Sequence, residues 1–147
     1  ESDDAYGVNA AYSGDNYGVS LTYGVLETGT DEDTFTAINA YYTPEGFPSI
    51  SVGYEIGEDG SKTTLDELES FFVGLTFEEV GPGSAGIAMG TKTPTVEGSD
   101  EEYMYEAYYS YPVNDGMTIT PLVFIKEVST AGSDDETGVM VKTSFSF

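Results

Sequence analysis

Cations are the scarcest reactive groups in this chain: its 147 residues include 4 Lys plus Arg, 27 Asp plus Glu, no His and no Cys. Lys92, Lys126 and Lys142 fall in segments of alternating hydrophobicity read as strands, whereas Lys62 sits in a polar connection. Glu55, Glu78 and Glu106 occupy the same alternate face as those three lysines. Cations and anions opposed across a narrow aqueous passage create a transverse field that sorts ions by charge. The plainer reading of the same residues is salt bridging on a wet surface. With neither His nor Cys, the chain has no Ser-His-Asp triad, no Cys–His nucleophile and no imidazole or thiolate metal site. Its formal net charge of −23 excludes nucleic acid as a partner, because phosphate binding needs clustered cations.

The acidic runs Asp31-Glu32-Asp33, Glu58-Asp59, Asp100-Glu101-Glu102 and Asp134-Asp135-Glu136 offer hard oxygen ligands. Asp31, Asp33, Asp134, Asp135 and Glu136 are therefore candidates for weakly held Ca²⁺ or Mg²⁺, and no other cofactor is expected. None of the runs has the spacing of an EF-hand loop. Their other role is a solvated negative rim that raises the local cation concentration. Paired carboxylates also hydrolyse glycosides. Here the acids cluster in connections and not on a shared cleft, and Trp is absent. No phosphate-cradling glycine motif is present either. The chain does not read as an enzyme.

Period-2 alternation places these residues on strands. Nine are expected, at 5–13, 17–26, 35–43, 49–57, 70–79, 85–93, 103–111, 117–127 and 138–147. In the second, Tyr17, Val19, Leu21, Tyr23 and Val25 oppose Gly18, Ser20, Thr22 and Gly24. In the seventh, Tyr103, Tyr105, Ala107, Tyr109 and Tyr111 oppose Met104, Glu106, Tyr108 and Ser110. The third is ambiguous, with apolar residues on both faces. A soluble sandwich alternates too, but a wall of Gly, Ser and Thr fits a surface lining water. No apolar run approaches the ~18 residues of a spanning helix, whereas strands of about ten match a tilted crossing. Tyr, 12 in number, suits a membrane–water boundary better than a core, so the tyrosines of the seventh strand read as a belt and not as a stacking ladder for ligand.

The connections sort by parity. Ser13 to Asn16, Thr43 to Pro48, Gly81 to Gly83 and Pro112 to Gly116 are short, with little charge. Glu27 to Asp33, Gly57 to Glu69, Thr93 to Glu102 and Glu127 to Thr137 are longer and hold most of the acid. Short periplasmic turns and long external loops are the habit of outer-membrane barrels. The fold expected is all-β: a transmembrane antiparallel β-barrel of which these nine strands form part. The last strand follows a long loop, so it runs inward and the C-terminus is periplasmic. The first strand then begins outside, and residues 1–147 read as the C-terminal portion of a larger barrel with upstream strands.

The ending Thr137-Gly-Val-Met-Val-Lys-Thr-Ser-Phe-Ser-Phe147, with Val141, Phe145 and Phe147 in alternation, resembles the signal read by the barrel-assembly machinery. The segment Tyr111-Pro-Val-Asn-Asp-Gly-Met-Thr-Ile-Thr-Pro121, the acidic loop and that final strand resemble the C-terminal region of cyanobacterial outer-membrane porins, variously called carbohydrate-selective or iron-uptake porins. Phe35-Thr-Ala-Ile-Asn-Ala-Tyr-Tyr-Thr-Pro44 has a similar character. The resemblance implies passive diffusion of inorganic ions and small hydrophilic solutes, contact with outer-membrane lipid, and a homo-oligomer, usually a trimer. It also implies an S-layer-homology module for wall anchoring, which these residues do not contain. The alternative from another class is a secreted acidic β-sandwich or filament subunit with an adhesive role.

Overall fold

The computed structural model describes residues 4–60, 66–93, 95–96, 100–128 and 133–146. Their regular elements are all strands: β1 (Ala5–Ser13), β2 (Tyr17–Thr28), β3 (Asp31–Tyr42), β4 (Ser49–Asp59), β5 (Asp66–Val80), β6 (Gly83–Thr91), β7 (Thr95–Val96), β8 (Tyr103–Asn114), β9 (Met117–Lys126) and β10 (Glu136–Phe145). Nine of them form one antiparallel sheet in chain order, and the two-residue β7 pairs with β5 off that path.

A meander follows from local chemistry, since most strands are joined to their neighbours by short connections that favour antiparallel pairing. Gly29, at φ 65°, opens the Gly29-Thr30 turn between β2 and β3. A two-residue hairpin with glycine first is the connection whose twist matches the flanking strands. The expected long loop from Glu27 to Asp33 is therefore not a loop. Its acids are ladder residues, with Glu27 opposite Glu32, Leu26 opposite Asp33 and Thr28 opposite Asp31. Similarly, β4 and β5 extend through Glu58 and Glu67, which face each other and shorten the expected 57–69 connection. Like charges directly opposed cost stability, but at the wet end of a sheet solvent screens them.

The parity of the connections fails in length, and at Gly29-Thr30 and 60–65 it survives in charge only at the strand ends. Those two connections carry no acid, while Glu27, Asp31, Glu32, Asp33, Glu58, Asp59 and Glu67 flank them within β2–β5. One end of the sheet, here the tight end, carries the connections 14–16, 43–48, 81–82 and 115–116. The other, the acidic end, carries Gly29-Thr30, 60–65, 92–102 and 127–135, so its first connection is as short as any. The predicted position of Phe147 lies outside the described residues, as does Lys62.

Directly paired residues share a face of a sheet, and alternate residues point to opposite faces. The register therefore assigns every strand residue to one of two faces. The first, the valine face, carries Val8 and Tyr12 of β1, Val19 and Leu21 of β2, Ile38 of β3, Val52 of β4, Val73 and Leu75 of β5, Ile87 of β6, Val123 of β9 and Val139 of β10. The second, the glycine face, carries Gly18, Ser20, Thr22, Asn39, Ser51, Gly53, Gly74, Gly86 and Gly138.

Among the described residues neither face is covered by a second layer. The accessible surface is 9983 Å², against roughly 7,300 Å² for a compact monomer of 15.7 kDa. Val25, 3% exposed, is the one buried hydrophobic residue among the described residues, while Leu21 is 52% and Val8 65% exposed. The described strands form a single layer, not two packed sheets. Its first and last strands, β1 and β10, each have one edge without a partner among the described residues.

Candidate functional site

The glycine face is more crowded than a lining of small residues implies. Phe35, Tyr41, Phe72, Tyr108 and Phe124 also point to it, each directly opposite a glycine of the adjacent strand: Gly24, Gly18, Gly53, Gly86 and Gly138 respectively. A Cβ placed on any of these glycines would lie 2.2 to 2.3 Å from a ring carbon. Each ring thus covers the bare backbone of its partner, the device by which glycine in a sheet is shielded by a neighbouring aromatic. This explains why β3 looked ambiguous. Its rings on the glycine face are accommodated by glycines on β2, which periodicity within β3 cannot reveal.

Among the charged candidates, Glu55, Glu106, Lys126 and Lys142 lie on the glycine face, as the alternation predicts. Glu55 sits between Ala37 and Ser70, and Glu106 between Ala88 and Phe124. Lys126 stands over the Phe124 ring at 5.0 Å and faces Glu136 across the β9–β10 ladder. Lys142 faces Thr120. From Glu55 on β4 to Lys126 on β9 is four strand steps, or about 19 Å along the sheet. Glu55 is kept apart from the lysines, whereas Lys126 has Glu136 directly opposite and Glu106 on the adjoining strand.

Two candidates are placed differently. Lys92 is not within a strand; it follows the end of β6 at Thr91. Its Nζ donates to Glu102 Oε2 at 2.8 Å and to the Glu127 carbonyl at 3.3 Å. The hydrogen bond to Glu102 holds the Lys92 ammonium above the ordinary lysine value, against a smaller opposing effect of desolvation. Lys92 is thus a tie between two acidic-end connections. Glu78 lies where the β5–β6 register shifts between Phe77 and Val80, at the tight end and away from Glu55 and Glu106.

Around Lys92 the acidic end is knotted in a way the sequence did not announce. The Glu127 carboxylate accepts the Tyr103 N–H at 3.0 Å and the Tyr105 hydroxyl at 3.2 Å. The Tyr103 hydroxyl donates to Glu101 at 2.5 Å. The metal candidates, in contrast, are dispersed. Asp33 accepts the Gly60 N–H at 2.9 Å, Asp31 accepts the Thr30 hydroxyl at 3.4 Å, and Asp135 accepts the Val128 N–H at 3.3 Å. Asp134 lies in the connection before β10, and Glu136 faces a lysine. Among the described residues, no three acidic side chains gather as a metal site would need.

On the valine face, aliphatic residues are bracketed by two rows of tyrosines. Tyr6, Tyr23, Tyr103 and Tyr105 lie toward the acidic end; Tyr12, Tyr17, Tyr42, Tyr109 and Tyr111 lie toward the tight end. Tyr54 of β4 reaches toward the acidic row, donating to Glu69 Oε1 at 2.8 Å, and at the opposite margin Tyr109 donates to the Val80 carbonyl at 2.8 Å. Rings touch along each row: Tyr12 and Tyr17 at 6.1 Å, Phe71 and Tyr103 at 5.9 Å. Tyr6 and Tyr12, Tyr17 and Tyr23, and Tyr105 and Tyr111 are each six positions apart, about 20 Å along a strand.

These rows do not follow the hydrogen-bonding direction. Starting at Tyr12, the register runs through Val19, Ala40, Val52, Val73, Met89, Tyr105 and Ile125 to Thr137. Tyr12 is at the tight end of β1, whereas Thr137 is at the acidic end of β10. The tight-end aromatic of β10 is Phe145, eight residues beyond Thr137 after eight strand steps. One residue of stagger per step tilts the strands by about 35° from the normal to the rows. Strands of outer-membrane barrels are tilted by roughly 35–45°.

No protein-family model, curated protein or solved structure matches the chain.

Proposed function

We propose that this chain forms part of the wall of an outer-membrane β-barrel through which inorganic ions and small hydrophilic solutes diffuse passively. The observation that carries the reading is the stagger of the two tyrosine rows, eight residues over eight strand steps, around an exposed aliphatic band. A sheet with that band on one face and polar, glycine-backed residues on the other separates lipid from water. The tyrosine hydroxyls turn to carboxylates and carbonyls at the margins, as rings at a headgroup boundary do. The acidic end then faces the outside and the tight end the periplasm, and the final strand, with Val141 and Phe145, serves the assembly machinery. The resemblance to cyanobacterial porins points the same way, and with it a homo-oligomer.

In this reading Lys126 and Lys142 set a positive strip on the lumen wall opposite the Glu55 region, while the carboxylates of the acidic end draw cations to the mouth. Protein extracted in detergent from the outer membrane of producing cells should form ion-conducting pores in planar bilayers. Lys126→Glu with Lys142→Glu should move the reversal potential toward cation preference. Recovery of the protein in the aqueous fraction without detergent would overturn the reading.

A further inference from the structure

On the glycine face, over β3, β4 and β5, the sheet leaves a hollow of about 330 Å³ whose polar walls have no partner. The register sets two short rows there. Ala37, Glu55 and Ser70 lie side by side, and Asn39, Gly53 and Phe72 lie side by side in the next row toward the tight end. Gly53 supplies a bare floor, over which the Asn39 amide and the Phe72 ring both lean. Asn39, Glu55 and Ser70 are half-buried. Among the described residues their side chains have no hydrogen-bond or ion-pair partner. Lys126, the nearest lysine of this face, is four strand steps away.

Elsewhere the sheet fills such a place with a side chain of its own. Lys126 stands over the Phe124 ring at 5.0 Å, and the ladder partner of Phe124 is Glu106. There the chain supplies the cation; between Glu55 and Phe72 no described residue does. We propose that this hollow transiently binds small organic cations that carry a guanidinium group as they pass along the wall. The proposal rests on the pore reading and names a solute class for it. A guanidinium is flat and weakly hydrated, so it can pair its fork of N–H groups with the Glu55 carboxylate and lay its plane against the exposed Phe72 ring. Glu55 and Phe72 are diagonal neighbours across the β4–β5 ladder, a separation of about 7–8 Å that long and aromatic side chains span. The remaining N–H groups face the Asn39 amide oxygen and the Ser70 hydroxyl. A hard metal cation needs several oxygen ligands, and one carboxylate beside a phenyl ring does not replace its water. The carboxylates of the acidic end raise the concentration of any cation at the entrance.

The test uses protein extracted in detergent from the outer membrane of producing cells and placed in planar bilayers. Single-channel current is recorded at fixed total salt while methylguanidinium or ethylammonium replaces potassium. The two probes carry the same charge and similar bulk, but only the first is planar and forked. Methylguanidinium should interrupt the current at a concentration roughly tenfold lower than ethylammonium, as charge-assisted paired hydrogen bonds allow. Glu55→Gln should abolish that difference. Phe72→Leu keeps the carboxylate and should shrink the difference about threefold. Glu45→Gln, in the 43–48 connection and outside the hollow, should leave it unchanged, which separates the site from net charge. Equal block by the two probes in the native channel, or a difference that survives Glu55→Gln, would overturn the proposal. Equivalent block by glucose would mark a site for hydroxyls and would overturn it too. If Glu55→Gln forms no pores, Phe72→Leu decides, and an unaltered difference there defeats the proposal. Native protein that forms no pores at all defeats the pore reading itself, whereas pores indifferent to methylguanidinium defeat only this site.

Discussion

The two faces of this sheet are built from neighbouring residues of the same strands, yet they meet opposite demands. On the valine face, large side chains such as Leu21, Ile38, Ile87 and Val123 stand away from the backbone with nothing of the protein over them. On the glycine face, each large ring has a place prepared for it, a glycine directly opposite. Both faces leave large side chains exposed, Phe35, Tyr41 and Phe72 by 40–44% against 49–52% for Leu21, Ile38, Ile87 and Val123. Each glycine-face ring, however, lies against a bare backbone directly opposite. The comparison teaches that bulk on the glycine face is matched strand to strand by glycine, whereas in the middle of the valine face bulk lies beside bulk. An exposed apolar patch of this extent is not a feature of a water-soluble monomer.

The largest effect expected from this comparison is a charge placed on each face. Leu21→Arg, in the middle of the aliphatic band, should destabilise the vesicle-inserted protein by about 2–4 kcal/mol in denaturant titration. Ser20→Arg, one residue away on the other face, should alter conductance with little loss of stability. Equal losses at both positions would erase the distinction between the faces.

Next come the glycines. Gly53→Ala places a methyl against the Phe72 ring and the Asn39 side chain, at 2.2 and 2.5 Å, and should cost about 1–3 kcal/mol by overpacking. Gly74→Ala is the control, because its nearest neighbours are at 3.7 Å, an ordinary contact. Thermal unfolding of the two variants should differ clearly, and similar melting would contradict the ring-over-glycine account.

Much of this was legible beforehand. In β2 the alternation of Tyr17, Val19, Leu21 and Tyr23 with Gly18, Ser20 and Thr22 is complete within one strand, so periodicity suffices. Charge hid the true extent of the strands. Glu27, Asp31, Glu32 and Asp33 disfavour strand on propensity, and they read as a loop, although Gly29-Thr30 is a two-residue hairpin signal. The aromatics of β3 and Phe124 of β9 depend on glycines in other strands, and no pattern within one segment records that pairing. The Glu127 knot depends on two connections meeting at the start of β8, which only the register of β6, β8 and β9 determines. The dispersal of the acidic runs has the same origin: Asp33 accepts the Gly60 N–H across the sheet, and Glu136 is held in the β9–β10 ladder opposite Lys126.

Smaller effects sharpen the margins of the band. Tyr54→Phe removes the hydrogen bond to Glu69 and should cost at most about 1 kcal/mol, measured by denaturant titration. The Lys92–Glu102 tie should be weaker still. Because the folded protein raises the Lys92 value above the ordinary 10.5, the contribution of the pair is present below that ordinary value. It is lost as pH rises through the raised value. Amide exchange at the 92–102 connection should therefore accelerate in strong alkali in the native protein, more than in Lys92→Gln.

The most direct measurement of the central claim uses the absence of tryptophan from the chain. Single substitutions along β2, Val19→Trp, Ser20→Trp, Leu21→Trp and Thr22→Trp, can be inserted into vesicles whose acyl chains carry bromine, which quenches indole on contact. The account predicts strong quenching at positions 19 and 21 and little at 20 and 22. Quenching that ignores this alternation, or that is absent at all four positions, would contradict a sheet whose valine face meets lipid.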